Sequence, residues 1–339
     1  MVLIAAALLI VQTSAANAQV PNLDAAVKAA STMPRLHSLL VNWRGNLILE
    51  RYFNGTQPTR AANIKSASKS VISALVGIAI DRGMIAGVKQ PISEFFPEIL
   101  AGANSEKKQI TIENLLTMQS GLETTSNRNY GAWVQSPNWV RHALSRSLVS
   151  QPGTVMEYST GNTHLLSAIL TKATSESTWQ FAQEMLAKPM GFTLPRWPQD
   201  PQGVFFGGND MLMTPRQMVA FGELYLNHGR LNGLQIVPAR WVEASQTPRA
   251  QSQREDDRFY GYGWWIRDLG GQRTYYAWGF GGQFIFIVPT LDLVVVTTSS
   301  STVAEERRSH RLTLYDLVEH LIIEPIAQVP NCANCAKGN

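Results

Sequence analysis

Ser66 and Lys69 stand three residues apart, in the order Ser66-Ala67-Ser68-Lys69, at the head of an apolar segment. On a helix this separation puts both side chains on one face, within reach of each other. A serine hydroxyl is a weak nucleophile that needs a base to take its proton. A lysine amine serves only where burial or a nearby positive charge lowers its pKa. The start of a helix favours this, because its unpaired N–H groups and positive dipole end disfavour an ammonium and stabilise an oxyanion. The chemistry predicted from the pair is acyl transfer through a covalent serine intermediate. A third candidate is Tyr158, which follows Gly153-Thr154-Val155-Met156-Glu157 and precedes Ser159-Thr160-Gly161-Asn162. A phenol there would relay a proton between Ser66, Lys69 and a leaving group.

The motif needs its context, because Ser105-Glu106-Lys107-Lys108 also satisfies Ser-x-x-Lys. That second match lies in a charged stretch with no apolar helix to desolvate the lysine, and it reads as a solvated loop. Around Ser66 the positions Val71, Ile72, Leu75, Val76, Ile78 and Ala79 cover most of a helix circumference, predicting a buried helix over 67–82 that stops at Gly83. No Gly-x-Ser-x-Gly elbow occurs, which argues against an α/β-hydrolase triad. The six histidines lack metal-ligand spacing, so neither metal nor cofactor is expected. His164 reads as a core or wall residue, and Asp210 in Gly207-Gly208-Asn209-Asp210 as the fixer of a turn.

The elements that must position these residues follow from periodicity. Apolar, β-prone runs at 36–43 and 46–53, split by Arg44-Gly45, predict a hairpin, and further strands are expected over 263–267, 274–278, 283–288 and 291–298. Between the two strand clusters, helical spacing recurs over 112–118, 139–148, 163–173, 179–188 and 215–227. The simplest assembly is an α+β fold: the chain ends join in one antiparallel sheet flanked by helices, and the middle forms a mostly helical second lobe. The net charge of +4 comes from scattered Lys and Arg, which excludes a nucleic-acid partner and leaves a small molecule. The apolar run from Val2 to Val11, ending in Ala16-Asn17-Ala18, reads as a signal peptide over 1–18, although no Lys or Arg precedes it. A periplasmic or secreted protein is therefore expected. Cys332 and Cys335 sit in a tail over 329–339, where an oxidising compartment would permit a disulfide.

Over nearly all of its mature length the chain resembles the serine β-lactamase and penicillin-binding-protein superfamily. It is most similar to the class C-like carboxylesterases (family VIII-type) and the 6-aminohexanoate-dimer (nylon-oligomer) hydrolases. The likeness rests on Ser66-Ala67-Ser68-Lys69, the segment Ile112 to Leu122, the Tyr158-Ser159 turn, Met213-Thr214-Pro215-Arg216 and Trp278-Gly279-Phe280-Gly281-Gly282-Gln283. It implies a β-lactamase/transpeptidase-like fold, an α/β lobe over 19–84 and 204–328, and a helical lobe over 85–203, with the active site in the cleft between. It also implies an oxyanion hole from the backbone N–H groups of Ser66 and Gly281, or of Phe280 in second place.

The chain departs from the pattern twice. Thr160 holds the third place of the family's Tyr-x-Asn motif, with Asn162 two residues on as the candidate substrate-binding amide. Trp278-Gly279-Phe280 replaces the Lys-Thr-Gly common in β-lactamases. An indole in place of a lysine suits uncharged acyl chains, so Trp278 is expected to bind substrate, with Arg267 or Arg273 as alternative sources of a cation. Tyr130 falls where related hydrolases place a loop over the cleft, and is read either as a substrate contact or as an ordinary loop tyrosine. The expected activity is hydrolysis of esters or linear amides. A β-lactamase, a D-alanyl-D-alanine carboxypeptidase and a penicillin-binding sensor are the alternatives.

Overall fold

Residues 283–288 and 293–299 are buried at every position, which a strand reaches only in the interior of a sheet covered on both faces. In the computed structural model, which describes residues 20–330, they lie inside an eight-stranded antiparallel sheet. Its strands are β1 (Leu36–Trp43), β2 (Asn46–Tyr52), β3 (Ala250–Gln251), β4 (Phe259–Tyr260), β5 (Trp265–Leu269), β6 (Gln272–Gly279), β7 (Gln283–Val288) and β8 (Leu293–Ser299), in the spatial order β2-β1-β8-β7-β6-β5-β4-β3. The pairing of β1 with β8, with Leu40 opposite Val296, joins the two ends of the chain as expected. The predicted leader and the two cysteines lie outside the described residues.

Alternation sorts the side chains into two layers. Leu40, Ala277, Ile285, Ile287, Val294 and Val296 face one apolar cluster, whereas Leu39, Val41, Tyr276, Phe284, Phe286 and Val295 face another. The second is covered by helices α1 (Asp24–Ser31) and α5 (Arg307–Val318). The polar opening Arg307-Arg308-Ser309-His310-Arg311 hid α5 from the periodicity reading, yet Leu314, Tyr315, Leu317 and Val318 are buried beneath it.

The first layer holds α2 (Ser68–Asp81), whose residues Ser68 to Ala79 are all buried, together with α3 (Thr160–Thr174) and α4 (Pro215–Leu226). Gly77 lets α2 meet Trp241 so closely that a Cβ there would stand 2.3 Å from the indole. Among the described residues, 85–203 contains helical elements and isolated bridges but no strand. The same apolar cluster runs from the sheet through α2 into this helical region, so the sheet and the helical region share one core.

Three local expectations need correction. Ser105–Lys108 is one exposed helical turn capped by the Asn104 side chain, not a loop. The strand predicted at 263 begins at Trp265, because Gly263 (φ +78) still belongs to a turn. The two-residue strands β3 and β4 extend the sheet beyond the predicted set, being too short to show alternation.

Candidate active site

The chain reaches Ser66 through a two-residue ladder, Ala62–Asn63 on Leu212–Met213, and a hydrogen bond from Ile64 N–H to Met211 O of 2.9 Å. It must then turn sharply into α2. Lys65 makes the turn with φ +50, its N–H held by Asn63 Oδ1 at 3.0 Å, and Lys65–Ala67 forms a 3-10 turn that leaves Ser66 half-exposed.

One helical turn on, Lys69 is only 2% exposed. Its Nζ lies 3.1 Å from Ser66 Oγ, 3.3 Å from Thr160 Oγ1 and 2.7 Å from Gly208 O. Burial pulls its pKa from 10.5 down to about 7, against the opposing pull of the Asp210 charge. At neutral pH a large fraction is therefore the free amine. That form offers N–H groups to Gly208 and Thr160 and a lone pair to the Ser66 hydroxyl.

Tyr158 is fixed by the segment after the Ser120-Gly121-Leu122 turn. Thr124 Oγ1 donates to Tyr158 O at 2.7 Å, while Thr125 Oγ1 and Ser126 Oγ accept the N–H groups of Gly161 and Thr160, each at 2.8 Å. These hydroxyls satisfy donors that the start of α3 would otherwise leave unpaired. The Tyr158 ring stacks on Trp265 (5.7 Å, 19°) and meets Tyr260 edge-on, and Lys69 Nζ sits 5.1 Å from its centroid. Burial pushes the phenol up to about 12, with a hydrogen bond to Ser66 pulling the other way. A group near 7 and a group near 12 flanking one serine can divide base and acid work between them.

The remaining candidates are placed unevenly. Tyr130 OH accepts Asn209 Nδ2 at 2.9 Å, one residue from the Gly208 carbonyl that holds Lys69. Asn162 is 2% exposed and its Oδ1 accepts Ser120 Oγ at 3.0 Å, so its amide carbonyl ties α3 to the Ser120 turn. It is Thr160, the residue in the motif's third place, whose side chain meets Lys69.

Trp278 is half-buried on β6, parallel to Phe284 (6.2 Å, 6°) and beside Trp265. The cations near it are Arg311 (5.0 Å) and Arg258 (5.7 Å), both also close to Glu255 at 3.7 and 3.1 Å. Arg267 and Arg273, expected in that role, instead pair with Asp257 and Asp268, each at 2.7 Å. Gly281 follows β6 with φ +91, and a Cβ there would stand 2.5 Å from Ser300 O. Gly279 brings β6 against the Ser66 turn, since its Cβ would fall 2.1 Å from Ile64 O.

Sequence reasoning missed Thr160, Gly208 and the Arg258 and Arg311 pair. The Gly207-Gly208 doublet was the visible signal for the second, because two adjacent glycines mark close backbone approach.

Comparison with known proteins shows the family and the fold. The profile of the family described as Beta-lactamase matches residues 37–319. The 6-aminohexanoate-dimer hydrolase of Paenarthrobacter ureafaciens is 26% identical over 302 residues, covering 79% of this chain and 74% of that protein. Among solved structures, EstCE1, described as a hydrolase with promiscuous acyltransferase activity, aligns with a TM-score of 0.71 at 17% identity, over 88% of this chain and 98% of that one. An octameric penicillin-binding protein homologue from Pyrococcus abyssi aligns with a TM-score of 0.67 at 17% identity, over 91% and 78% of the two chains.

Proposed function

From the premise that this chain belongs to the beta-lactamase family, and so to a family of serine hydrolases, we propose that it hydrolyses esters or linear amides through an acyl-enzyme on Ser66. Lys69 takes the Ser66 proton as Oγ attacks the substrate carbonyl carbon. The N–H groups of Ser66 and Gly281 receive the oxyanion. Tyr158 gives a proton to the departing alkoxide or amine and regains one from Lys69. Water then attacks the acyl carbon by the reverse relay, releasing the acid and restoring the Ser66 hydroxyl.

The observation that carries this reading is a nearly enclosed lysine, held near pKa 7, with its amine 3.1 Å from a half-exposed serine hydroxyl. With the leader read over 1–18, the proposed place of action is the periplasm or the cell exterior.

The substrate class follows from Trp278. A substrate carboxylate meeting lysine gains a charge-assisted hydrogen bond of roughly 1.5 to 3 kcal/mol, which an indole cannot supply. The nearby Arg258 and Arg311 are engaged with aromatic rings and Glu255. An apolar acyl chain fits such a wall better. The relative named a 6-aminohexanoate-dimer hydrolase and the hydrolase EstCE1 support a linear amide or an ester.

The test compares kcat/KM for a short p-nitrophenyl ester, a 6-aminohexanoate dimer and a chromogenic cephalosporin. The ester or the linear amide should lead by a wide margin. A leading cephalosporin would make the protein a β-lactamase in activity, and a stable acyl adduct without turnover would make it a penicillin-binding sensor.

A further inference from the structure

We propose that Asp210 is a positioning residue: by joining Lys65 it locks the turn presenting Ser66 to the strap, residues 207–210, whose Gly208 carbonyl holds Lys69. The inference rests on the reading of Ser66 and Lys69 as nucleophile and base.

Two separate pieces of chain meet at this carboxylate. Asp210 Oδ1 accepts Asn63 Nδ2 at 2.7 Å and Lys65 Nζ at 2.8 Å, so the acceptor on the strap binds both residues that shape the entry to Ser66. Lys65 (φ +50) and Asp210 (φ +62) both adopt the left-handed conformation that L-residues avoid. Strained backbone of this kind persists where surrounding contacts over-determine it. Here the two strained residues face each other across one ion pair. Each side chain of the pair is 23% exposed, which shields it far better than the surface pair Lys188–Glu184 at 57% and 49%.

The strap has other anchors, and Gly208 lies among them. Gly207 N–H reaches His164 Nδ1 at 3.4 Å, and His164 Nε2 is 3.0 Å from Asp200 Oδ2 in a fully enclosed pair. Asn209 donates to Tyr130. A Cβ at Gly208 would stand 3.1 Å from Lys69 Nζ and 3.1 Å from Thr163 Cβ, so the bare backbone lies directly on the amine. A strap released at Asp210 moves the Gly208 carbonyl, and Lys69 follows it.

Asp210 also acts through its charge, which favours the ammonium form of Lys69. The other titratable groups around Lys69 are Tyr158, on the turn into α3, and Tyr130, facing the strap, with Lys65 joined to Asp210. Position and charge are separable. Asp210→Asn keeps an acceptor for Lys65 and loses the charge, Asp210→Ala loses both, and Lys65→Met breaks the pair while leaving the charge of Asp210 uncompensated.

The experiment measures kcat, KM and the pH profile of kcat/KM for these variants with a p-nitrophenyl ester. Fluorophosphonate labelling of Ser66 is followed in parallel, and thermal unfolding checks the fold. Asp210→Ala and Lys65→Met should each lower kcat by about 10- to 100-fold, the scale of a small misplacement of reacting groups, with KM changed far less. Asp210→Asn should recover most of that loss. The acidic limb of the profile should move to lower pH in both Asp210 variants and to higher pH in Lys65→Met. Folded variants with unchanged kcat, or limbs that shift in the same direction, would overturn the proposal while Ser66 is still labelled. Absence of labelling at Ser66 in the unaltered protein would remove the underlying reading and this proposal with it.

Discussion

The carbonyl oxygen of Gly208 lies 2.7 Å from Lys69 Nζ, closer than Ser66 Oγ at 3.1 Å. The free amine thus has its N–H directed to a backbone acceptor and its lone pair left for the serine. In the proposed mechanism Ser66, Lys69 and Tyr158 act as one proton-relay unit. Lys69→Ala and Tyr158→Phe should each lower kcat by roughly a hundredfold or more. The double variant should lose much less than the product of the two single losses, because members of one unit are not additive. Steady-state kinetics of the three variants decides this, and full additivity would show two independent roles.

The position of Lys69 predicts two pH dependences. As a base it must be unprotonated, so kcat/KM should rise with pH through a limb near 7, the value to which burial lowers it, and not near 10.5. Tyr158, pushed up to about 12, stays a phenol throughout the working range. The same shift acts on stability. Between about 7 and 10.5 the unfolded chain binds a proton at Lys69 that the folded chain does not, so this residue makes stability rise with pH in that window. The slope from this one group is up to about 1.4 kcal/mol per pH unit. Lys69→Met should flatten the curve of unfolding free energy against pH between 7 and 10, and equal slopes for the two proteins would show that Lys69 is not desolvated.

The glycines at the site differ in what a side chain would meet. A methyl group at Gly208 meets Lys69 Nζ and the buried Thr163 Cβ, each at 3.1 Å, so Gly208→Ala should lower kcat at least tenfold, the scale of a displaced reacting group, with a smaller loss of stability than a substitution at Gly279. At Gly279 the obstacle is the Ile64 carbonyl oxygen at 2.1 Å, which is backbone and cannot move aside. Gly279→Thr, which would restore the hydroxyl of a Lys-Thr-Gly strand, should instead destabilise the fold by about 1 to 3 kcal/mol. Thermal unfolding beside kcat separates the two cases, and a stable, active Gly279→Thr variant would mean that β6 does not press on the Ser66 turn.

The legible part of this protein is what residue type and period encode. The helix carrying Lys69 announces itself by apolar residues around its whole circumference, and Tyr158 by a turn immediately before a second buried helix. The Ser105 motif could be set aside because its surroundings are charged, and the structure leaves that turn exposed. Contacts made by backbone were not legible: the Gly208 carbonyl that holds Lys69 carries no residue-type signal. The Lys65–Asp210 pair was hidden by a separation of 145 residues. Helix α5 was hidden by the opposite cause, since its first turns are polar and its apolar side is short.

The central claim is that Ser66 alone carries the acyl group. The protein is treated with a fluorophosphonate, digested and analysed by mass spectrometry, beside Ser66→Ala under the same conditions. One adduct is expected on the peptide containing Ser66, with none on the peptide containing Ser105, and ester hydrolysis should fall to background in Ser66→Ala. An adduct on Ser105, or undiminished turnover by Ser66→Ala, would contradict the assignment.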